Sequence, residues 1–503
     1  MITLPFKPQS GIKRDCTELE GENYADGQWV RFVKGLPRKI GGMKSVSSNV
    51  VSKARGIRCD SKGTNTYTHI GGGSILEQHS FDSDAFIINV ADRTPSTLAY
   101  PLSTNSMWTF DIMYNASSSG SSIIAQEAPN LGSLYNDSGG QLCIGDTYST
   151  SRLTKLDVPS GGSATGGVCV LHPYLFYYGN DGIVGWSASG EPTKLDPSAH
   201  PSSDCGLARV TGSKLVKMLP LRGDGPSGLM WSTDSLLRCV YSGSLGIFQF
   251  NTISTQISVL SPNSIVEYDG LYFWAGIDKF YVFTGTVKEL PNAMNLDYFY
   301  DNVNMTYSQK VFAFVVPKYG EIWWCYPRGT NTECSHAVIY NVRENTWYDT
   351  ELPTHLYSGV YSQFYGRPLT IGESQIYLHE TGYDFISSGV VYAMKSYFES
   401  NDISFSVQKQ QNVAIRCATI EPDFVQIGDI KVVVKGQNTP KDTPTETQKF
   451  TIKQYPETKY DQVVQIKSQS KYMRLRFESN VLGGYYYMGQ TMVHYDTGTS
   501  RVL

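Results

Sequence analysis

Leu271-Tyr272-Phe273-Trp274, Ala275-Gly276-Ile277-Asp278 and Phe280-Tyr281-Val282-Phe283 decide how this chain is read. Two apolar runs joined by a short link bearing Gly and Asp describe two strands and a tight turn. The same plan stands at Tyr174-Leu175-Phe176-Tyr177-Tyr178, Gly179-Asn180-Asp181-Gly182 and Ile183-Val184-Gly185-Trp186. A third stretch leads from Ile322-Trp323-Trp324-Cys325-Tyr326 through a polar loop to Ala337-Val338-Ile339-Tyr340 and Asn345-Thr346-Trp347. Short runs of this kind, Phe86–Val90 among them, recur from about residue 51 to 385, each bounded by Gly, Asp, Asn or Pro. The expectation is an all-β fold whose main body, residues 51–388, is a β-propeller with degenerate blades. A radial array lets each small sheet bury both faces while exposing few edges. Tyr340 and Trp347 flank a turn at Arg343-Glu344-Asn345 with the spacing of the third-to-fourth-strand step of a kelch-type blade, without its double Gly. A row of β-sandwiches is the alternative for these strands.

Beyond about residue 390 the runs lengthen and alternate. In Met473-Arg474-Leu475-Arg476-Phe477 the apolar residues fall on one face and the arginines on the other, as in a sheet with one wet side. Runs at Val390–Phe398, Ile403–Val407, Val413–Cys417, Ile430–Val434, Lys449–Ile452, Val463–Ile466, Met473–Phe477 and Tyr485–Met488 predict a β-sandwich over 389–503, beyond a boundary at Ile386-Ser387-Ser388-Gly389. Lys435–Thr447 reads as an exposed hairpin tip.

Residues 1–50 differ again. Lys7, Lys13, Arg14, Arg31, Lys34, Arg38, Lys39 and Lys44 make the segment basic, and periodic apolar pattern is sparse. It reads as an extended arm with a strand or two near Gln28–Val33. Trp29-Val30-Arg31-Phe32 is costly to leave in water, so the arm is expected to pack on the main body or on a neighbouring subunit. Arg14, Trp29, Arg31, Phe32, Arg38 and Lys39 are therefore the interface candidates. Trimming residues 1–45 is expected to spare the folded body and to abolish assembly.

The totals set bounds. A chain of 503 residues predicts about two to four domains. Charged residues are 17%, against the usual figure of roughly 25%, and 34 Tyr and 47 Gly fill the deficit. That balance suits strands, turns and broad protein–protein contacts. The net charge of −4 lacks the basic excess of a protein that grips phosphates. The nine Cys are odd in number, contain no C-x-x-C pair and sit partly in apolar runs, which predicts buried reduced thiols. Met1-Ile2-Thr3-Leu4-Pro5 does not open a signal peptide, and no apolar stretch reaches membrane-spanning length. A soluble protein made in the cytoplasm is expected.

Chemistry-bearing motifs are few. No Gly-x-x-x-x-Gly-Lys-Ser/Thr loop occurs, and Gly71-Gly72-Gly73 and Gly223-Asp224-Gly225 read as turns. No two of the eight His stand at i, i+4, and no Gly-x-Ser-x-Gly elbow is present. A propeller glycan hydrolase would need a carboxylate pair, or a Tyr nucleophile with an arginine cluster. The recurring Ser-x-Asp-x-Gly-x-x-Trp box of such enzymes is absent, since Asn180-Asp181-Gly182-Ile183-Val184-Gly185-Trp186 has another spacing. A non-enzyme without cofactor or metal is expected, with the hydrolase as an alternative.

One region carries a resemblance. It runs from Gly228-Leu229-Met230-Trp231-Ser232-Thr233-Asp234-Ser235 through Leu237-Arg238-Cys239-Val240-Tyr241-Ser242-Gly243, Ile265-Val266-Glu267-Tyr268-Asp269-Gly270 and Phe273-Trp274-Ala275-Gly276 to Glu289-Leu290-Pro291-Asn292. With Asp26-Gly27-Gln28-Trp29-Val30-Arg31-Phe32 and Gly35-Leu36-Pro37-Arg38-Lys39-Ile40-Gly41-Gly42, it resembles the tail nozzle (tail hub, or packaged-DNA stabilisation) proteins of short-tailed bacteriophages, the podoviruses. The resemblance implies a propeller with a sandwich and a homo-oligomeric six-fold ring in the virion tail. It also implies partners: a head–tail adaptor above, tail fibres or spikes around the ring, a plug or needle at its tip, and genomic double-stranded DNA passing through the lumen unbound. No permanent membrane association is implied. A receptor- or glycan-binding tail protein is the other alternative, although neither heptads nor short exact repeats of a fibre are present.

Overall fold

The computed structural model of the protein describes residues 2–17, 22–47, 49–85, 87–98, 101–102, 106–128, 140–223, 225–243, 247–403, 414–439, 441–454 and 463–498. With 57% strand and 4% helix, the chain is all-β. The hairpins read from the sequence are present: Tyr174–Tyr178 pairs with Ile183–Trp186, and Leu271–Ala275 with Phe280–Phe283. Tyr340 and Trp347 sit directly opposite one another on the third and fourth strands of their sheet, with ring centroids 4.7 Å apart.

Six four-stranded antiparallel sheets follow in chain order, over residues 54–92, 107–156, 167–209, 215–254, 266–290 and 312–356 (units 1 to 6). The seventh unit is composite. Ser358–Ser362, Arg367–Gly372 and Gln375–His379 supply three strands, and β6 (Met43–Ser47), from the start of the chain, pairs antiparallel with Gln375–His379 as the fourth. The hairpin Asp384–Ser387 and Val390–Ala393 then extends this sheet to six strands, so the expected boundary at 386–389 falls on a hairpin turn.

Each unit is two-faced and apolar, and each face finds the next unit. Leu76 and Trp108 share a core between units 1 and 2, Leu142 and Leu175 between 2 and 3, and Phe176 and Phe248 between 3 and 4. Trp231 and Trp274 join units 4 and 5, and Phe280 and Trp324 join 5 and 6. Phe314 and Tyr377 join units 6 and 7, and Ile70 and Ile371 bring unit 7 back to unit 1. Burying one such side chain contributes about 1.5–3 kcal/mol, so each junction is a substantial apolar contact. The first strands of units 1 to 4, 6 and 7, with Asn263 and Ile265 ahead of unit 5, line one cavity.

The remaining strands form two facing sheets and a small one. β1 (Ile2–Phe6), Thr491–Thr497, Ile415–Glu421 and Val464–Ser470 make the first. β2 (Gln9–Ile12), β3 (Asn23–Gln28), Ser396–Ser400, Tyr472–Ser479, Ile430–Gln437 and Thr445–Ile452 make the second. Phe6, Phe398, Val432, Leu475, Phe477 and Val493 share one core between them. Met473, Leu475 and Phe477 face the core as read, and Arg476 on the other face stacks 3.4 Å from the Tyr397 ring, but Arg474 beside it is buried and donates to Asp402 at 2.7 Å. The tip between Ile430–Gln437 and Thr445–Ile452 is exposed at Asn438, Thr439 and Lys441. β4 (Val30–Val33), β5 (Leu36–Lys39), Tyr485–Met488 and Phe424–Ile427 form the small sheet. The expected strand at Ile403–Val407 lies outside the described residues beyond Ile403, which bridges Met473.

The beginning of the chain corrects the reading of an extended arm. Residues 2–47 place six strands in four sheets, pairing with partners more than 300 residues away. The C-terminal sheets and unit 7 leave edges that no local hairpin fills, and an unpaired edge is costly or sticky. Such distant pairing leaves no periodic mark in the sequence. Among the described residues no helix is long and apolar enough to cross a membrane.

Candidate functional site

The interface candidates converge on a seam where residues 14–42 cross unit 6. Trp29 takes a left-handed backbone, φ +51°, which bulky residues rarely adopt. Its N–H donates to Thr350 Oγ1 at 2.9 Å, its indole N–H donates to the Gly41 carbonyl at 3.0 Å, and its ring meets Trp323 edge-on at 5.8 Å. Gly42 has to be glycine here, because a Cβ would lie 2.2 Å from the Asp384 carbonyl oxygen. Phe32 packs between Tyr24 and Tyr348 at 5.1 and 5.6 Å.

Arg31 is the centre of the seam. Its guanidinium donates to both carboxylate oxygens of Glu321, at 2.8 and 3.0 Å, and to both of Glu380, at 3.0 and 2.5 Å. The Tyr319 ring stacks beneath it at 3.6 Å. Glu321 also accepts from the Tyr348 hydroxyl at 2.6 Å and the Trp323 indole at 2.9 Å. Burial works against the charge on Glu380, but Arg31 outweighs it and holds the carboxyl below its ordinary range. Arg14 repeats the device, pairing with Asp26 at 2.6 Å and with both oxygens of Asp349 at 3.0 Å. Arg38 lies 5.6 Å from the Tyr319 ring and 5.5 Å from that of Tyr485. Lys39 donates to the Ser479 carbonyl at 3.2 Å, and burial pushes its ammonium down to about 8.

The six candidates are thus brought together, but as contacts within one chain. Trp29, Arg31, Phe32 and Lys39 are at most 1% exposed, so they offer no surface to a neighbouring subunit. The partners Glu321, Glu380 and Asp349 were missed. The one signal was an acid opening the aromatic run Glu321-Ile322-Trp323-Trp324, a place where a carboxylate is rarely buried without a cation.

Exposed apolar surface lies elsewhere. Ile87–Asp92 is the edge strand of unit 1 and exposes Ile87, Ile88 and Val90. Val390–Ala393 is the edge of the six-stranded sheet and exposes Val390, Val391 and Tyr392. All six are between 37% and 55% exposed, in two contiguous apolar strips.

The cavity between the first strands has a volume of about 430 Å³ and is lined by six of the seven units and by Asn263 and Ile265, which lead into unit 5. Arg58 and Asp111 form an ion pair across it at 3.4 Å, and Lys217 also lines it. Among the described residues, Cys143, Cys169, Cys205, Cys239, Cys325 and Cys334 are buried free thiols, while Cys16 and Cys59 are half-buried. No three of His, Cys, Asp and Glu among the described residues are grouped to hold a metal ion. No protein-family model matches the chain, and no curated protein matches it.

Proposed function

We propose that the chain is a structural subunit of the tail nozzle of a short-tailed bacteriophage. In this reading the seven units are the blades of a β-propeller that β6 fastens shut, and the two facing C-terminal sheets are a β-sandwich. Support comes from the circuit of seven inter-unit cores, which returns from unit 7 to unit 1. The subunits form a ring of six that continues the DNA channel below the portal and adaptor, retains packaged DNA and carries fibres or spikes. The role follows from the phrases at 26–42 and 228–292.

The observation that carries the ring is the pair of apolar edge strands, Ile87–Asp92 and Val390–Ala393. A closed ring of identical subunits needs two different patches that meet head to tail, and these are two different sheet edges. The lumen needs little affinity for phosphate, and a chain with 46 acidic and 42 basic residues supplies no strong neutralisation. The chain acts as scaffold and not as catalyst.

Light scattering coupled to size-exclusion chromatography tests this reading. A six-copy species is expected for the wild type, with Ile88→Asp and Val391→Asp each giving monomers of unchanged melting temperature. A trimer would favour a fibre-like receptor binder, and a monomer that releases sugars from glycans would favour a hydrolase.

A further inference from the structure

The central cavity holds two cations and one carboxylate. Asp111 is fully engaged: Oδ1 accepts from Arg58 and from the Ile112 N–H at 2.9 Å, and Oδ2 accepts from the Val170 N–H at 2.8 Å. Lys217 comes from the first strand of unit 4, Leu215–Pro220, where the register shifts between Leu215 and Lys217, and it lines the cavity beside Met218 and Leu219. No carboxylate among the described residues lies within ion-pair distance of it. Arg58 Nε is likewise buried without a partner. An ammonium and part of a guanidinium thus line one polar cavity, open to solvent on the side of the 42% exposed Arg58 side chain, with a single carboxylate that Arg58 already engages. An uncompensated cation in such a place is costly unless something neutralises it.

We propose that the central cavity is a binding site for a small oxyanion, a phosphate or carboxylate group held between Lys217 and Arg58. The Arg58 fork suits the two oxygens of such a group, and Lys217 supplies a point charge from the other side. The cavity volume of about 430 Å³ is within the range of small-ligand sites, so the anion has room for an organic body as well as its head group. Burial also holds the Lys217 ammonium below its ordinary range, which an arriving anion would reverse. The inference is independent of the tail reading.

The test is calorimetric titration of the full chain with inorganic phosphate and, in a parallel arm, acetate, at constant ionic strength set by chloride. Wild type is expected to bind one phosphate saturably, and acetate more weakly because it offers fewer oxygens. Lys217→Met is expected to weaken phosphate binding at least tenfold and to raise the melting temperature in phosphate-free chloride, since it removes an unneutralised cation. Arg58→Gln is expected to weaken phosphate binding as well, and it decides the matter if Lys217→Met does not fold. Lys62→Met, at an exposed position, is expected to change nothing. Absence of saturable binding to the wild type, or equal binding by wild type and both cavity variants, would overturn the proposal.

Discussion

The junction between units 3 and 4 and the seam between the N-terminal strands and unit 6 solve the same problem with opposite chemistry. At the first, Phe176, Trp186, Met230, Leu237 and Phe248 meet as an apolar core, with Phe176 edge-on to Phe248 at 4.8 Å. At the second, Arg31 is locked to Glu321 and Glu380, and Arg14 to Asp26 and Asp349. Units 3 and 4 are neighbours in sequence, so short connections already bring their faces together, and non-directional burial suffices. Residues 14–42 return to unit 6 across some 300 residues and must find one register among many similar strand edges. Bidentate ion pairs have a fixed geometry and penalise every misplaced alternative, because a wrong register strands buried charges. Between units 3 and 4, where connectivity chooses the partner, apolar contact stands alone; at the seam, buried charge is added to the packing of Trp29 and Phe32.

The largest way to break this comparison is to remove the seam. Deletion of residues 1–47 takes β6 from unit 7 and β1, β2 and β3 from the C-terminal sheets. From the sequence, trimming residues 1–45 was expected to leave a folded body. The strand pairing predicts instead that the deleted chain loses its cooperative melting transition, as circular dichroism would record. A sharp transition near that of the full chain would show that the seam is dispensable.

The next effect separates the two chemistries. Arg31→Met leaves Glu321 and Glu380 buried without their cation, at an expected cost of about 3–5 kcal/mol in urea unfolding. Leu237→Met in the junction of units 3 and 4 keeps volume and polarity and is expected to cost less than about 1.5 kcal/mol. Adding Glu321→Gln and Glu380→Gln to Arg31→Met should recover much of the loss. Equal costs at the two sites would contradict the distinction.

The smallest effect concerns acid. Glu333 accepts from Arg55 at 2.8 and 3.0 Å, from Lys310 at 2.9 Å and from Lys53 at 3.0 Å, tying the start of unit 1 to unit 6. Burial alone would raise its carboxyl, but the Arg55 guanidinium and the two ammonium groups bring it down from 4.5 to about 2. The folded chain therefore holds this proton less tightly than the unfolded one. The contribution is fully present above pH 4.5 and is lost as pH falls through 2, on the order of 3 kcal/mol. Glu333→Gln should flatten that part of the pH–stability curve, and an unchanged acid slope would remove Glu333 from the account.

The sequence was most legible where structure is local. Tyr174–Tyr178 with Ile183–Trp186, and Tyr340 opposite Trp347, follow from runs and turns a few residues apart. The role of β6 was not legible: Met43-Lys44-Ser45-Val46-Ser47 is short and polar, and its partner strand begins at Gln375. The basic residues before position 50 were legible as interface candidates but their partners were not, because charge alone does not reveal a buried carboxylate 290 residues away, as with Arg31 and Glu321. Lys217 was equally hidden, since one Lys within the apolar run Leu215-Val216-Lys217-Met218-Leu219 gives no sign that it lines a central cavity.

Electron microscopy of assembled virions, with this chain labelled at the exposed hairpin tip near Lys441, tests the central claim most directly. The account predicts six labels in a ring about the tail axis, immediately below the portal and adaptor. Virions without the label, or labels only at the distal ends of fibres, would contradict it.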